Sequence, residues 1–148
     1  MATSNAATNN LEEAILTGIL DRANDALYVS DLKIHLYGGT VPTASEIEAG
    51  TIGTEITTAG GYDRAGTALD TNNMEVTAAG VLQNDAEITW GAASADWSAP
   101  VTYIVIKGKL SSGGSAEPLF IGELDDEKTV SNGDTFKFAA NALSITLA

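Results

Sequence analysis

The sequence predicts a mainly β fold: a single antiparallel β-sandwich, immunoglobulin-like or jelly-roll-like, with a short N-terminal α-helix. Three observations carry that expectation. Apolar and polar residues alternate in short runs, most cleanly at LKIHLY (32–37) and at the closing LSITLA (143–148). From Gly60-Gly61 onward such runs recur at the spacing of an all-β domain. Fifteen glycines against three prolines suit many tight turns between short strands. A chain of 148 residues is long enough for one such domain with a real core.

Taken in order, residues 1–9 are small and polar, and are expected to form a flexible arm ahead of one domain over 10–148. A helix is expected over 10–21. Asn10 can cap it, Glu13 completes a variant capping box, and Leu11, Ile15 and Ile19 fall on one face. In LKIHLY the residues Leu32, Ile34 and Leu36 alternate with Lys33, His35 and Tyr37, the pattern of a half-buried strand. The stretch 38–61 reads as a long connection, with a turn of helix at TASEIEAG and an extended piece at TIGTEITT.

Strands are then expected near 62–69, 74–78, 81–90, 101–110, 118–124, 135–138 and 143–147. Tyr103-Ile104-Val105-Ile106 is apolar on both faces, which predicts a central strand covered on both sides. SSGGSAE reads as a hairpin loop, and Asn132-Gly133 as a type I′ turn. In the closing strand, burial of Leu143, Ile145 and Leu147 would stabilise the domain by roughly 1.5–3 kcal/mol each.

Composition excludes several roles. Twenty acidic residues face seven basic ones, for a formal net charge of -13. Phosphate backbones and anionic membranes attract basic surfaces, so no nucleic-acid or membrane partner is expected. The chain has no cysteine, which removes disulfides, thiolate metal sites and a thiol nucleophile. The N-terminus lacks the basic region of a signal peptide and reads as mature protein.

Candidate chemistry is sparse. His35 is the sole histidine, so every histidine-dependent scheme runs through it, and the alternation places it facing solvent. ELDDEK (123–128) concentrates carboxylates, read as a solvated turn in preference to a cation site. DTNNME lacks the glycine of a calcium loop, and GGYDRAGTALD lacks the lysine of a phosphate loop. Trp90 and Trp97 are expected in the core, with sugar stacking as the alternative. With no convergent catalytic set, neither enzymatic activity nor a cofactor is expected.

Three stretches nevertheless carry a resemblance: GGYDRA (60–65), AEITWGAASADWSAPVTYIVI (86–106) and LFIGELDDEKTVSNGDTFKFAANALSITLA (119–148). They resemble a family of small tailed-phage virion proteins, labelled capsid decoration (cement) proteins or tail-fibre proteins. The connection within 30–60 is longer than that family suggests, and Trp97 is followed by Ser98-Ala99-Pro100 in place of a glycine. The resemblance implies a β-sandwich that binds protein and performs no chemistry. It further implies a homotrimer on the capsid surface of the virion, made in the host cytoplasm and bridging subunits of the major capsid protein. Contacts are expected at Asn10, Leu11, Ile15 and Ile19, in the arm, and in the 38–61 connection. The alternatives are a tail or tail-fibre component, or a carbohydrate-binding module using Trp90, Trp97 and exposed tyrosines.

Overall fold

The computed structural model describes residues 6–8, 29–77, 81–111 and 113–146. The helix expected over 10–21 lies outside the described residues. The architecture is mainly β, and every strand pairing is antiparallel.

Three long strands form the frame: β2 (Ser30–Gly38), β8 (Val101–Lys109) and β9 (Glu117–Lys128). β8 lies between the other two, and β8 and β9 are joined through the SSGGSAE loop as a hairpin. Short strands finish the sheet. β3 (Thr54–Glu55) and β4 (Thr67–Ala68) both pair with β2, and β1 (Ala6–Ala7) pairs with β9. Two ribbons stand apart from this sheet. One joins β5 (Glu75–Val76), β6 (Leu82–Gln83) and β11 (Ser144–Ile145); the other joins β7 (Ile88–Thr89) and β10 (Lys137–Phe138).

Period-two alternation sends successive side chains of the long strands to opposite faces. Ile34, Leu36, Ile104 and Ile106 take one face and enter a large core with Trp90, Trp97, Phe136 and Leu143 from the ribbon layer. Tyr37, Tyr103, Val105 and Ile121 take the other, and pack with Ile47, Val41 and Ile52. Ile47 belongs to α1 (Ala44–Glu48), which begins with a full capping box between Thr43 and Glu46. The stretch hardest to read in sequence is thus a cover for the second face. The central strand is covered on both sides, as its composition requires: Tyr103, Ile104, Val105 and Ile106 are all buried.

Several expectations are corrected. Residues 6–8 of the expected arm lie against the sheet: Thr8 is buried, and its hydroxyl donates to the Pro118 carbonyl at 2.7 Å. ELDDEK is no turn, because β9 continues through it to Lys128 with a register shift opposite Thr102. At SNGD only Gly133 takes a positive φ (88°), and Asp134 N–H bonds to Ser131 C=O at 2.9 Å. That is the type II pattern; a type I′ turn needs both central residues left-handed. The expected strand 81–90 splits into β6 and β7 because Asn84, between them, turns fully inward.

Asn84 explains how the chain end is held. Its Nδ2 donates to the carbonyls of Ala86 and Ala139 at 2.8 Å, and its Oδ1 accepts from Leu143 N–H at 2.7 Å. Its backbone adds two more bonds, to Leu143 C=O and from Asn141 N–H. A buried amide costs little only when its donors and acceptor are matched, and here they are. Leu143 is buried beside it, and Ile145 packs on the same core.

Candidate functional site

The side chains with chemical potential meet at the β3–β4 edge of the sheet. On β2, Ile34 and Leu36 face the large core, so His35 points the other way. It does not reach solvent. β3 and the loop after it fold over the strand, leaving His35 only 6 % exposed. The expectation of a solvent-facing histidine fails because alternation fixes the face a residue takes, and not what later covers that face.

His35 Nδ1 lies 2.8 Å from Glu55 Oε1. A carboxylate only accepts, so the imidazole carries its proton on Nδ1 and donates it. The Tyr62 hydroxyl donates to the same Oε1 at 3.0 Å and itself accepts Leu36 N–H at 2.9 Å. Lys107 Nζ stands 3.4 Å from Glu55 Oε2 and 5.4 Å from the centre of the Tyr37 ring. One carboxylate is therefore met by three donors from β2, β8 and the 60–66 loop.

These contacts set the titration. Burial pushes the His35 imidazole below its ordinary value and outweighs the opposing hydrogen bond to Glu55. Burial also pushes Glu55 upward. The hydrogen bond from His35, the Lys107 ammonium and the Tyr62 hydroxyl together overcome it and hold the carboxyl below its usual range. Burial raises Tyr37 and Tyr62 as well, and pushes Tyr103 up to about 12. A neutral imidazole donating to an ionised carboxylate accounts for both directions.

GGYDRA builds this node. Gly60 and Gly61 both take positive φ, and a Cβ on Gly60 would lie 2.6 Å from the Ala95 carbonyl oxygen, so that turn demands glycine. Tyr62 is then delivered to the edge of β2, with its ring 5.4 Å from that of Trp97. Asp63 accepts Ala65 N–H at 2.8 Å, and Arg64 donates to the carbonyls of Glu55 and Ile56 at 2.9 and 2.8 Å. The arrangement ties residues 54–66 to β2 and β8, with all three polar partners of Glu55 supplied from within the fold.

The other candidates resolve as follows. Trp90 and Trp97 are buried among Phe136 and Phe138, as the core reading expects. The tyrosines among the described residues, Tyr37, Tyr62 and Tyr103, are buried too, so the sugar-stacking platform loses its aromatic surface there. Among the described residues no three acidic or histidine side chains gather closely enough to hold a metal ion. Asn10, Leu11, Ile15 and Ile19, the expected partner contacts, lie outside the described residues. Sequence reasoning missed Glu55 and Asn84. Each is a polar residue in a short, non-periodic piece, and a buried partner leaves no mark on local pattern.

No curated protein matches the chain. One family does, over residues 2–146, and it is described as Podophage GP4 fiber I protein gp80. GGYDRA and the closing segment as far as residue 146, which carried the resemblance to phage virion proteins, fall inside that match and shape turns and fill cores. A match over nearly the whole length shows the family: the chain belongs to the phage structural proteins described as Podophage GP4 fiber I protein gp80.

Proposed function

We propose that this chain is a non-catalytic component of the phage fibre, joining neighbouring virion proteins through sheet edges and loops. The observation that carries the reading is the family match over residues 2–146. The surface supports it. His35 and the described tyrosines and tryptophans are buried, and Val76 is the only strongly exposed large hydrophobic residue among those described. The exposed side chains among the described residues are largely small, polar or acidic, which suits polar docking onto protein.

A second reading is decoration of the head, with the chain as a trimer bridging major capsid subunits. It is favoured by the likeness of segments 60–65, 86–106 and 119–148 to cement proteins. Quantitative mass spectrometry of purified virions, with gold-labelled antibody imaging, separates the two. The fibre reading expects label on the tail and copies far below the major capsid protein. Near-stoichiometric copies over the head would replace it with decoration, and absence from virions would sink both.

A further inference from the structure

Asn132-Gly133 is the only Asn-Gly step in the chain, and it occupies the two central positions of the turn closed by Ser131 and Asp134. Asn132 is exposed, so water reaches its carboxamide. An asparagine followed by glycine is the least durable of asparagine steps, because no Cβ on the next residue hinders attack by that residue's backbone nitrogen.

The turn is held against a second loop by bonds running both ways. Gly133 N–H donates to the Ala93 carbonyl at 2.7 Å, and Ala93 N–H donates to the Asp134 carbonyl at 2.8 Å. Asn132 N–H donates to Asp96 Oδ1 at 2.8 Å, and Ser131 N–H to Asp134 Oδ2 at 3.0 Å. Trp97 N–H closes the far end on the Val130 carbonyl at 2.9 Å. Ala93, Trp97 and Val130 are buried, which anchors this clip in the large core.

Loss of the side-chain amide requires the Gly133 nitrogen to give up its proton and reach Asn132 Cγ. The clip opposes both. The proton is engaged by Ala93, and the Asp96 and Asp134 carboxylates beside the turn disfavour a further negative charge. A type II turn also sets ψ of its first central residue near ~120°, which rotates the Gly133 nitrogen away from the Asn132 side chain. Ring closure needs the two nearly eclipsed.

We propose that Asn132 is a conformationally gated deamidation site, intact while the clip is closed and converted once residues 131–134 part from 93–97. In the opened chain, hydroxide takes the Gly133 amide proton and the nitrogen attacks Asn132 Cγ. A C–N bond forms as the Cγ–Nδ2 bond breaks, and ammonia leaves with a proton from water. Water then opens the succinimide at either carbonyl, giving aspartate or isoaspartate. The net change is amide and water to acid and ammonia, with nothing oxidised or reduced. Isoaspartate lengthens the backbone by a methylene, and either product sets a new carboxylate beside Asp96 and Asp134. The bonds of the clip then no longer register, so a transient opening becomes permanent damage.

Full-length protein is held at mildly alkaline pH in heavy-oxygen water, folded or in guanidinium chloride, and the peptide spanning 131–134 is followed by mass spectrometry. The oxygen label separates conversion in the incubation from conversion during digestion, and a short peptide of the same sequence corrects for the solvent. Conversion is expected to be at least about tenfold slower in the folded chain than in the unfolded one. Equal rates would overturn the gate. Asp134→Ala removes the Ser131 acceptor and should speed conversion several-fold in chains that circular dichroism shows still folded; an unchanged rate there would remove the clip as the cause. The folded-against-unfolded comparison uses the native sequence, so it decides even where that variant fails to fold. Dilution from denaturant completes the test: unconverted chains should regain the native melt and isoaspartate chains should not, and full recovery of both would overturn the permanent damage.

Discussion

Among the described residues, the buried polar side chains of Asn84 and His35 hold the protein by different physics. Asn84 is neutral, and it satisfies its amide entirely with backbone groups, one of them at Ala86 beside it and two in the chain end at Ala139 and Leu143. His35 is ionisable, and it is satisfied by a carboxylate that also serves Tyr62 and Lys107. The first pin is indifferent to pH. The second depends on one partner staying neutral and the other staying charged. Hydrogen-bonded burial therefore does not by itself say how a region responds to its surroundings.

The comparison breaks most completely if the chain end is removed. Deleting residues 142–148 takes away Leu143, the Asn84 Oδ1 partner, and Ile145 with β11. Loss of cooperative thermal unfolding is expected by circular dichroism, and a full-length-like melt would show that Asn84 secures nothing essential. Replacing Asn84 by Leu should be next in size. It leaves Leu143 N–H and two carbonyls without partners, at a cost of about 3–5 kcal/mol measured by urea unfolding.

Tyr62→Phe addresses the other pin. It removes one donor from Glu55 and leaves Leu36 N–H unmatched, for an expected loss of about 1–3 kcal/mol.

The pH response sharpens the contrast. Burial holds folded His35 below its ordinary 6.5, so the unfolded chain binds more protons below that value. Stability from this site is complete above pH 6.5 and declines as pH falls toward the folded value. Glu55, held below 4.5, adds a second decline that begins under pH 4.5. Urea midpoints across this range should slope downward from pH 6.5 in the native chain. The upper part of the slope should vanish in His35→Gln and persist in Asn84→Leu. The smallest effect is expected at the surface. Lys137 and Glu87 pair at 2.9 Å but are about half exposed, and Lys137→Ala should cost no more than about 0.5 kcal/mol, a loss that salt reduces further.

How much of this was legible beforehand follows from period and length. β2, β8 and the start of β9 are long enough for alternation to show, and Tyr103 to Ile106 announced a strand covered twice. The two-residue strands leave no periodic trace, so the ribbon layer was visible only as a rhythm of turns. The polar node was not legible at all. Alternation correctly turned His35 away from Ile34 and Leu36, but Glu55 reaches it across a connection whose path local pattern does not encode. GGYDRA carries only a resemblance in sequence, and its structural role lies in the partners of Tyr62 and Arg64, which local pattern does not encode.

The order of strands in the long sheet has a consequence for synthesis. β2 leaves the ribosome early, yet its widest partner, β8, begins only at Val101. At roughly 5–20 residues per second, Ile34 and Leu36 wait several seconds with only β3 and β4 to shield their strand. The β8–β9 hairpin closes locally once made, and β1 must find Phe120 and Ile121 after most of the chain has emerged. Assembly of this domain is therefore a late event in translation, with the first strand made being among the last that can be placed.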